Sequence, residues 1–185
     1  MRPNPSVERT PIGASPGSPI VDVYASQRMP HTLRIEQVAH RSFEVARQLH
    51  AVQMRAYALE ARFLGAVYFP PLERTVDDLR NSTETFLAAR VEDQIVGAAS
   101  TWPDDEGMGI NIASLVVAPS HQRQGIGRKL MAAVLVRHGG EGLTVQTGVK
   151  NVPAITLYKS LGFAELRRWF VGREPLELVK LRRIA

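Results

Sequence analysis

The chain has 185 residues, 44% of them hydrophobic and 22% charged, with a formal charge of +5 and no cysteine. That length suits a domain with a sizeable core. The lack of cysteine excludes disulfides, thiolate zinc sites and cysteine nucleophiles, and no apolar run approaches the roughly 18 residues of a membrane span. The start, MRPNPSVERT, has no apolar stretch of secretory-signal length, so the expected location is cytoplasmic and away from membranes. Basic residues are dispersed rather than blocked together, which argues against a nucleic-acid arm.

Residues 1–30 carry six of the twelve prolines and few large apolar side chains. They read as a disordered or loosely attached tail, leaving 31–185 as the domain. The GASPG at 13–17 matches G-x-S-x-G in form, but it lacks the strand and helix that a nucleophile elbow needs. From Thr32, TLRIEQV reads as a first strand or the entry to a helix. Val38, Val45, Leu49, Val52, Ala56, Leu59 and Phe63 then recur at helical spacing. That stripe is long enough for two helices with a bend and stops before Pro70-Pro71. Leu72–Asn81 has room for another short helix.

Beyond it the period shortens. Phe86–Arg90 and Ile95–Trp102 read as strands joined by a turn at Glu92-Asp93-Gln94. PDDEGMG at 103–109 is a loop, and Ile110–Val117 is apolar enough for a central strand. Ile126, Leu130 and Val134 mark a helix ending at Gly139-Gly140. Leu143–Thr147 reads as a strand and Val152–Ser160 as a helix. Phe163–Phe170 and Leu176–Leu181 read as strands again. Helices, three strands, a helix, a strand, a helix and two strands make a mixed α/β domain around one sheet.

The segment SLVVAPSHQRQGIGRKLMAAVL places Gly125 and Gly127 where a helix winds its first turn, although glycine costs about 1 kcal/mol against alanine in a helix. A helix amino terminus offers unpaired N–H groups and partial positive charge, and a residue without Cβ lets an anion approach them. The run Gln122-Arg123-Gln124-Gly125-Ile126-Gly127-Arg128 therefore reads as a backbone cradle for a diphosphate, with Arg123 and Arg128 adding charge. It is not a P-loop, and Leu130 stands where a dinucleotide fingerprint needs a small residue. The alternative is a pair of glycines that only shape a turn. A second cluster follows in NVPAITLYKSLGF at 151–163. Pro153 suits a first helical turn and Gly162 a helix end. Tyr158 falls at the margin of the face formed by Ala154, Leu157 and Leu161, where its hydroxyl could reach a cleft or the ring could simply pack.

Taken together, V-x-P then Q-x-x-G-x-G, followed after a strand by N-x-x-A-x-x-L-Y-x-x-x-G-F, resembles the GNAT superfamily of acyl-CoA-dependent N-acetyltransferases. The matching residues are Val117, Pro119, Gln122, Gly125, Gly127, Asn151, Ala154, Leu157, Tyr158, Gly162 and Phe163. The resemblance implies a GNAT-type acyl-CoA N-acyltransferase fold, a mixed, mostly antiparallel sheet flanked by helices, over about 33–181. It implies acetyl-CoA as cofactor, with backbone groups of Leu115, Val116 and Val117 along the pantetheine arm. The amides of Arg123, Gln124, Gly125, Ile126, Gly127 and Arg128, beside Gln122, would hold the pyrophosphate, and Asn151 would touch the cofactor from the next helix. A splay between strands 110–117 and 143–147 would admit the arm. The reaction implied is direct attack by an amine, with a backbone N–H of the fourth strand stabilising the oxyanion and Tyr158 as general acid.

The sequence assigns no base. The strand GINIASLVV has no carboxylate, and Glu60 and Glu106 compete with the reading that each is a solvated surface group. His121 lies on the phosphate side of the loop. Arg55, Tyr57, Glu60, Tyr68 and Phe69 could line an acceptor pocket or belong to the core. The expected acceptor is an amine of a small molecule or a peptide, and an exposed edge strand near the end of the chain allows a homodimer. A catalytically silent acyl-CoA sensor would carry the same cofactor motifs.

Overall fold

The computed structural model describes residues 32–172 and 175–185. The proline-rich segment 1–30, with its GASPG, lies outside the described residues. Chain order gives β1 (Leu33–Gln37), α1 (Phe43–Leu64), α2 (Val76–Asn81), β2 (Thr85–Val91), β3 (Gln94–Pro103), β4 (Ile110–Val117), α3 (Ile126–Arg137), β5 (Leu143–Gly148), α4 (Val152–Ser160), β6 (Ala164–Val171) and β7 (Leu176–Arg183). The seven strands form one sheet in the order β1-β2-β3-β4-β5-β7-β6. Every pairing is antiparallel except β4 with β5, which is parallel. This is the mixed, mostly antiparallel sheet that the family resemblance implied.

The early helical stripe is one helix, not two. Nothing in Phe43–Leu64 is glycine or proline, so no residue there forces a kink. Gly65, at φ 68°, ends the helix and returns its N–H to the carbonyls of Ala61 and Arg62. The buried stripe also differs from the predicted one. Ala46, Leu49, Val52, Ala56, Ala61 and Leu64 face inward, whereas Phe63 is exposed. The TLRIEQV segment is a strand. The expected helix within 72–81 divides into a 3-10 turn, Pro70–Glu73, and α2. Thr75 and Asp78 cap α2 reciprocally, each side chain accepting the other's backbone N–H.

Two cores flank the sheet. Helix α1 packs over Phe86, Ala88, Ala98 and Val116 on one face. On the other, α3 and α4 cover Leu87, Ala99, Ile112, Val145 and Leu181 with Leu130, Met131, Val134 and Tyr158. A buried ion pair ties the β3–β4 loop to β7: Asp104 Oδ2 lies 3.0 Å from Lys180 Nζ and accepts from Thr144 Oγ1 at 2.6 Å. Burial pushes the Asp104 carboxyl up, but the Thr144 hydroxyl, the Lys180 ammonium and the Glu106 N–H outweigh it and hold it down at about 2. Asp104→Asn is expected to cost about 2 kcal/mol, less than the 3–5 of a wholly stranded buried charge, because Glu106 stays 3.4 Å from Lys180. The depressed carboxyl favours the folded state above its unfolded pKa, and that contribution disappears as pH falls from about 4 to about 2. Urea titration of both proteins at pH 7 and pH 3 measures it. The gap between them should narrow at the lower pH.

Candidate active site

The parallel pairing of β4 and β5 is short. Ile110, Asn111 and Ile112 pair with Leu143, Thr144 and Val145, and there the register stops. Across β3 and β4, Ser100 pairs with Ser114 and Thr101 with Ile112, so Ala113 is an extra residue in β4. A bulge bends its strand, and this one sits at the last paired position. Beyond it the two strands part, at the place where the family resemblance implied a splay between strands 110–117 and 143–147. The resulting cleft is lined by Ile112–Leu115 from β4, Val145–Thr147 from β5, Glu60 from α1, and Asn151, Ala154 and Tyr158.

Glu60 reaches this cleft from the last turns of α1. Asn151 Nδ2 donates to its Oε1 at 2.9 Å and Thr147 Oγ1 donates at 3.4 Å. Both bonds fall on Oε1, which leaves Oε2 for a ligand. Burial raises the Glu60 pKa above the ordinary carboxylate value, and the bonds from Asn151 and Thr147 only partly oppose this. The surface reading of Glu60 is therefore corrected: it is a partly buried carboxylate aimed into the cleft. Its position was legible in principle, four residues after Ala56 and four before Leu64, within the inward stripe. Glu106 is exposed and committed elsewhere, to Arg167 and Lys180, and does not line the cleft.

Tyr158 is buried, with its ring 5.8 Å from that of Phe163, and it lines the cleft. Among the described residues its hydroxyl has no hydrogen-bond partner. Burial, with the nearby Glu60 charge and Tyr57, pushes its pKa well above the usual phenol value. The phenol therefore keeps its proton at neutral pH. Asn151, expected to touch a cofactor, spends its side chain on Glu60 and Thr147 and accepts from the Ala154 N–H as the cap of α4. Thr147 was not foreseen. No motif marks it, and only the meeting of β5 with α1 gives it a role.

The glycine loop follows β4, whose Leu115 lines the cleft. Arg123 at φ 62° and Gly125 at φ 77° are both left-handed, and Gln122–Gly125 are exposed. Alternation of hand of this kind turns successive N–H groups to one side as an anion-binding concavity. Gly125 is the N-cap of α3, and no side chain caps that end, so first-turn N–H groups are left open. A Cβ on Gly125 would meet nothing within 4 Å, and one on Gly127 would meet Leu157 at 3.6 Å and Val117 at 3.9 Å. Gly125 is thus required by conformation, and the loop is open to an incoming diphosphate. These features fit the pyrophosphate of an acyl-CoA. Of the remaining expected contacts, Leu115 lines the cleft, while Val116 and Ile126 bury their side chains in the cores and can offer only backbone groups. The Gln122 side chain donates to the Val117 carbonyl at 3.2 Å, and Arg128 donates to Ser160 Oγ at 2.9 Å. His121 bonds Ser120 next to it.

The predicted acceptor-pocket residues divide. Tyr57 is buried and donates to Ser114 Oγ at 2.8 Å, with Phe69 edge-on to its ring. Arg55 turns back to the Ala51 carbonyl and Tyr68 to Glu73, both at the surface. Of the five, Glu60 is the one that lines the cleft.

A mixed sheet opened between its parallel strands, beside an uncapped helix preceded by a glycine loop, defines a class of fold. The chain belongs to the acetyltransferase (GNAT) family, whose profile matches residues 47–163. UPF0157 protein YqkA of Bacillus subtilis (strain 168) is 34% identical over 131 residues, 70% of this chain and 37% of that protein. Ribosomal protein bS18-alanine N-acetyltransferase of Escherichia coli (strain K12) is 42% identical over 86 residues, 42% of this chain and 56% of that one. The match thus spans 37% to 56% of these relatives' lengths. The crystal structure of the ribosomal-protein-S18-alanine N-acetyltransferase from Escherichia coli matches at TM-score 0.63 and 16% identity, over 82% of this chain and 93% of that chain. The structure of yncA from Salmonella typhimurium, solved with its cofactor acetyl-CoA, matches at 0.62 and 19%, over 82% and 92%. Among the described residues no helix is long and apolar enough to cross a membrane.

Proposed function

We propose that residues 31–185 act as one acetyltransferase domain that moves the acetyl group of acetyl-CoA to a primary amine of a small molecule or peptide. The observation that carries this reading is a carboxylate and a phenol, Glu60 and Tyr158, lining one cleft at the point where β4 and β5 part. When bound, acetyl-CoA supplies its acetyl group as a thioester, open to direct attack by the amine in a ternary complex.

The residues divide the remaining work. Main-chain N–H groups from Arg123 to Arg128 would hold the diphosphate, and the stretch of β4 that no longer pairs with β5, Leu115 to Val117, would flank the arm. Glu60 takes the proton from the acceptor ammonium at Oε2, its basicity raised by burial. Asn151 and Thr147 fix the carboxylate's direction, so the role assigned to Asn151 shifts from cofactor contact to positioning. Backbone N–H groups of β4 beyond Ile112 border the cleft and would be the donors for negative charge developing on an acyl oxygen there. Tyr158 keeps its proton at neutral pH and delivers it to the departing sulfur. The bS18-alanine enzyme, named for its action on an alanine of a ribosomal protein, supports an amine acceptor here.

A panel of small amines and peptides, read out as free thiol released from acetyl-CoA, tests the proposal. Saturable cofactor binding without thiol release from any of them would leave the silent sensor. The cradle has its own test. Gly125→Val places a branched residue at φ 77°, at a local cost of about 1–2 kcal/mol, so the loop must reshape and the N–H groups lose their common direction. Calorimetry should show coenzyme A binding weakened about tenfold or more. Unchanged affinity would move the diphosphate site elsewhere.

A further inference from the structure

Resting on that reading, we propose that the acceptor is a primary amine with an aromatic or extended apolar body, held on a shelf formed by Leu178 and Trp169 beyond the cleft. The shelf follows from strand register. Gln146 of β5 lines the cleft and is exposed. Gly148 lies two residues on, so it shares the face of Gln146. Leu64 of α1 fills the space that a Cβ on Gly148 would take, which fixes this as the α1 face and marks where α1 stops covering it. Gly148 pairs with Leu178 of β7, and Leu178 pairs with Trp169 of β6.

One row therefore runs Gly148, Leu178, Trp169 across about 10 Å, two strand spacings. Both side chains are half-buried. Phe63, three residues after Glu60 on α1 and one before Leu64, is 61% exposed. Arg167, held by Glu106, lies with its guanidinium 5.4 Å from the Trp169 ring centroid and steadies the indole.

The chemistry of the two ends sets the ligand. Glu60 and the polar Gln146 receive the ammonium, whereas the row beyond them offers a flat aromatic and a branched aliphatic surface. A compact amine such as ethylamine fills the first part alone. Phenethylamine reaches the second, where an aromatic pair adds to area burial. Leu178 and Trp169 thus select the acceptor without touching the reacting atoms.

The test uses the full chain, acetyl-CoA and those two amines. Trp169→Ala should raise KM for phenethylamine about tenfold, leave its kcat within about twofold, and leave KM for ethylamine unchanged; Trp169→Phe should recover most of the loss. Because the chain has two tryptophans, Trp102 and Trp169, Trp102→Phe makes Trp169 the sole indole reporter. Phenethylamine alone should then shift its emission saturably, and ethylamine should not. Equal KM changes for both amines, or no emission shift, would overturn the shelf. An emission shift with no thiol release from any amine would retain the shelf and overturn the acetyltransferase reading instead.

Discussion

Glu60→Gln is expected to lower kcat by about a hundredfold to a thousandfold, the range lost when a positioned general base is removed. The amide is nearly isosteric, and its oxygen can still accept from Asn151 Nδ2, so the cleft keeps its shape. What disappears is the lone pair that takes the ammonium proton. In the parent protein kcat should fall as pH drops through the Glu60 pKa, which burial raises above the ordinary carboxylate value. Below that value the carboxyl is protonated and cannot act, and above it the profile should be level until another group titrates. The variant should show a low rate with that acid limb gone.

Stability should move in the opposite sense. A carboxyl whose pKa is higher folded than unfolded binds more protons in the native state, so its contribution grows less favourable as pH rises between the two values. At pH 7 the charged form carries the full desolvation cost, so Glu60→Gln should match or exceed the parent in thermal stability. A kcat within about threefold of the parent, with the acid limb intact, would remove Glu60 from the role of base.

Tyr158→Phe carries the second large effect, a loss of about a hundredfold in kcat with little change in coenzyme A affinity. The ring packs against Phe163 and in the core under α3 and α4, and phenylalanine keeps that packing. The hydroxyl has no protein partner among the described residues, so its removal strands no other group and costs little stability. With the phenol pKa pushed up, no basic limb in the parent's profile should belong to Tyr158 near neutral pH; the hydroxyl is a proton source throughout that range. Stopped-flow measurement of thiol release, set beside calorimetric affinity, separates the two quantities. Equal losses in both would make Tyr158 a packing residue of the cofactor side.

Much of this protein was legible as sequence because it depends on local rules. Short runs of apolar and β-branched residues bounded by turn residues mark the strands, and Gly125 and Gly127 announce a backbone that needs positive φ or an uncluttered first turn. The N-x-x-A-x-x-L-Y spacing sets Asn151 at the start of α4 and Tyr158 near its end, two turns apart. Those relations hold within a few residues of chain, where spacing and geometry are nearly the same thing.

What tertiary structure decided are the relations across the sheet. Glu60 and Asn151 are separated by 91 residues and meet at 2.9 Å because α1 crosses the face of β4 while β5 diverges from it. The spacing within α1 sets Glu60 on the inward stripe, but it does not show that the sheet beneath that point is open. Glu106 was lost as a base for the same reason, since its partners Arg167 and Lys180 come from strands at the far end of the chain. The helix stripe was read as two because apolar spacing reports a face and not continuity, which the absence of any helix breaker between Phe43 and Leu64 determines. Register works likewise: only the pairing Gly148 with Leu178 with Trp169 brings three distant residues into one row beside the cleft.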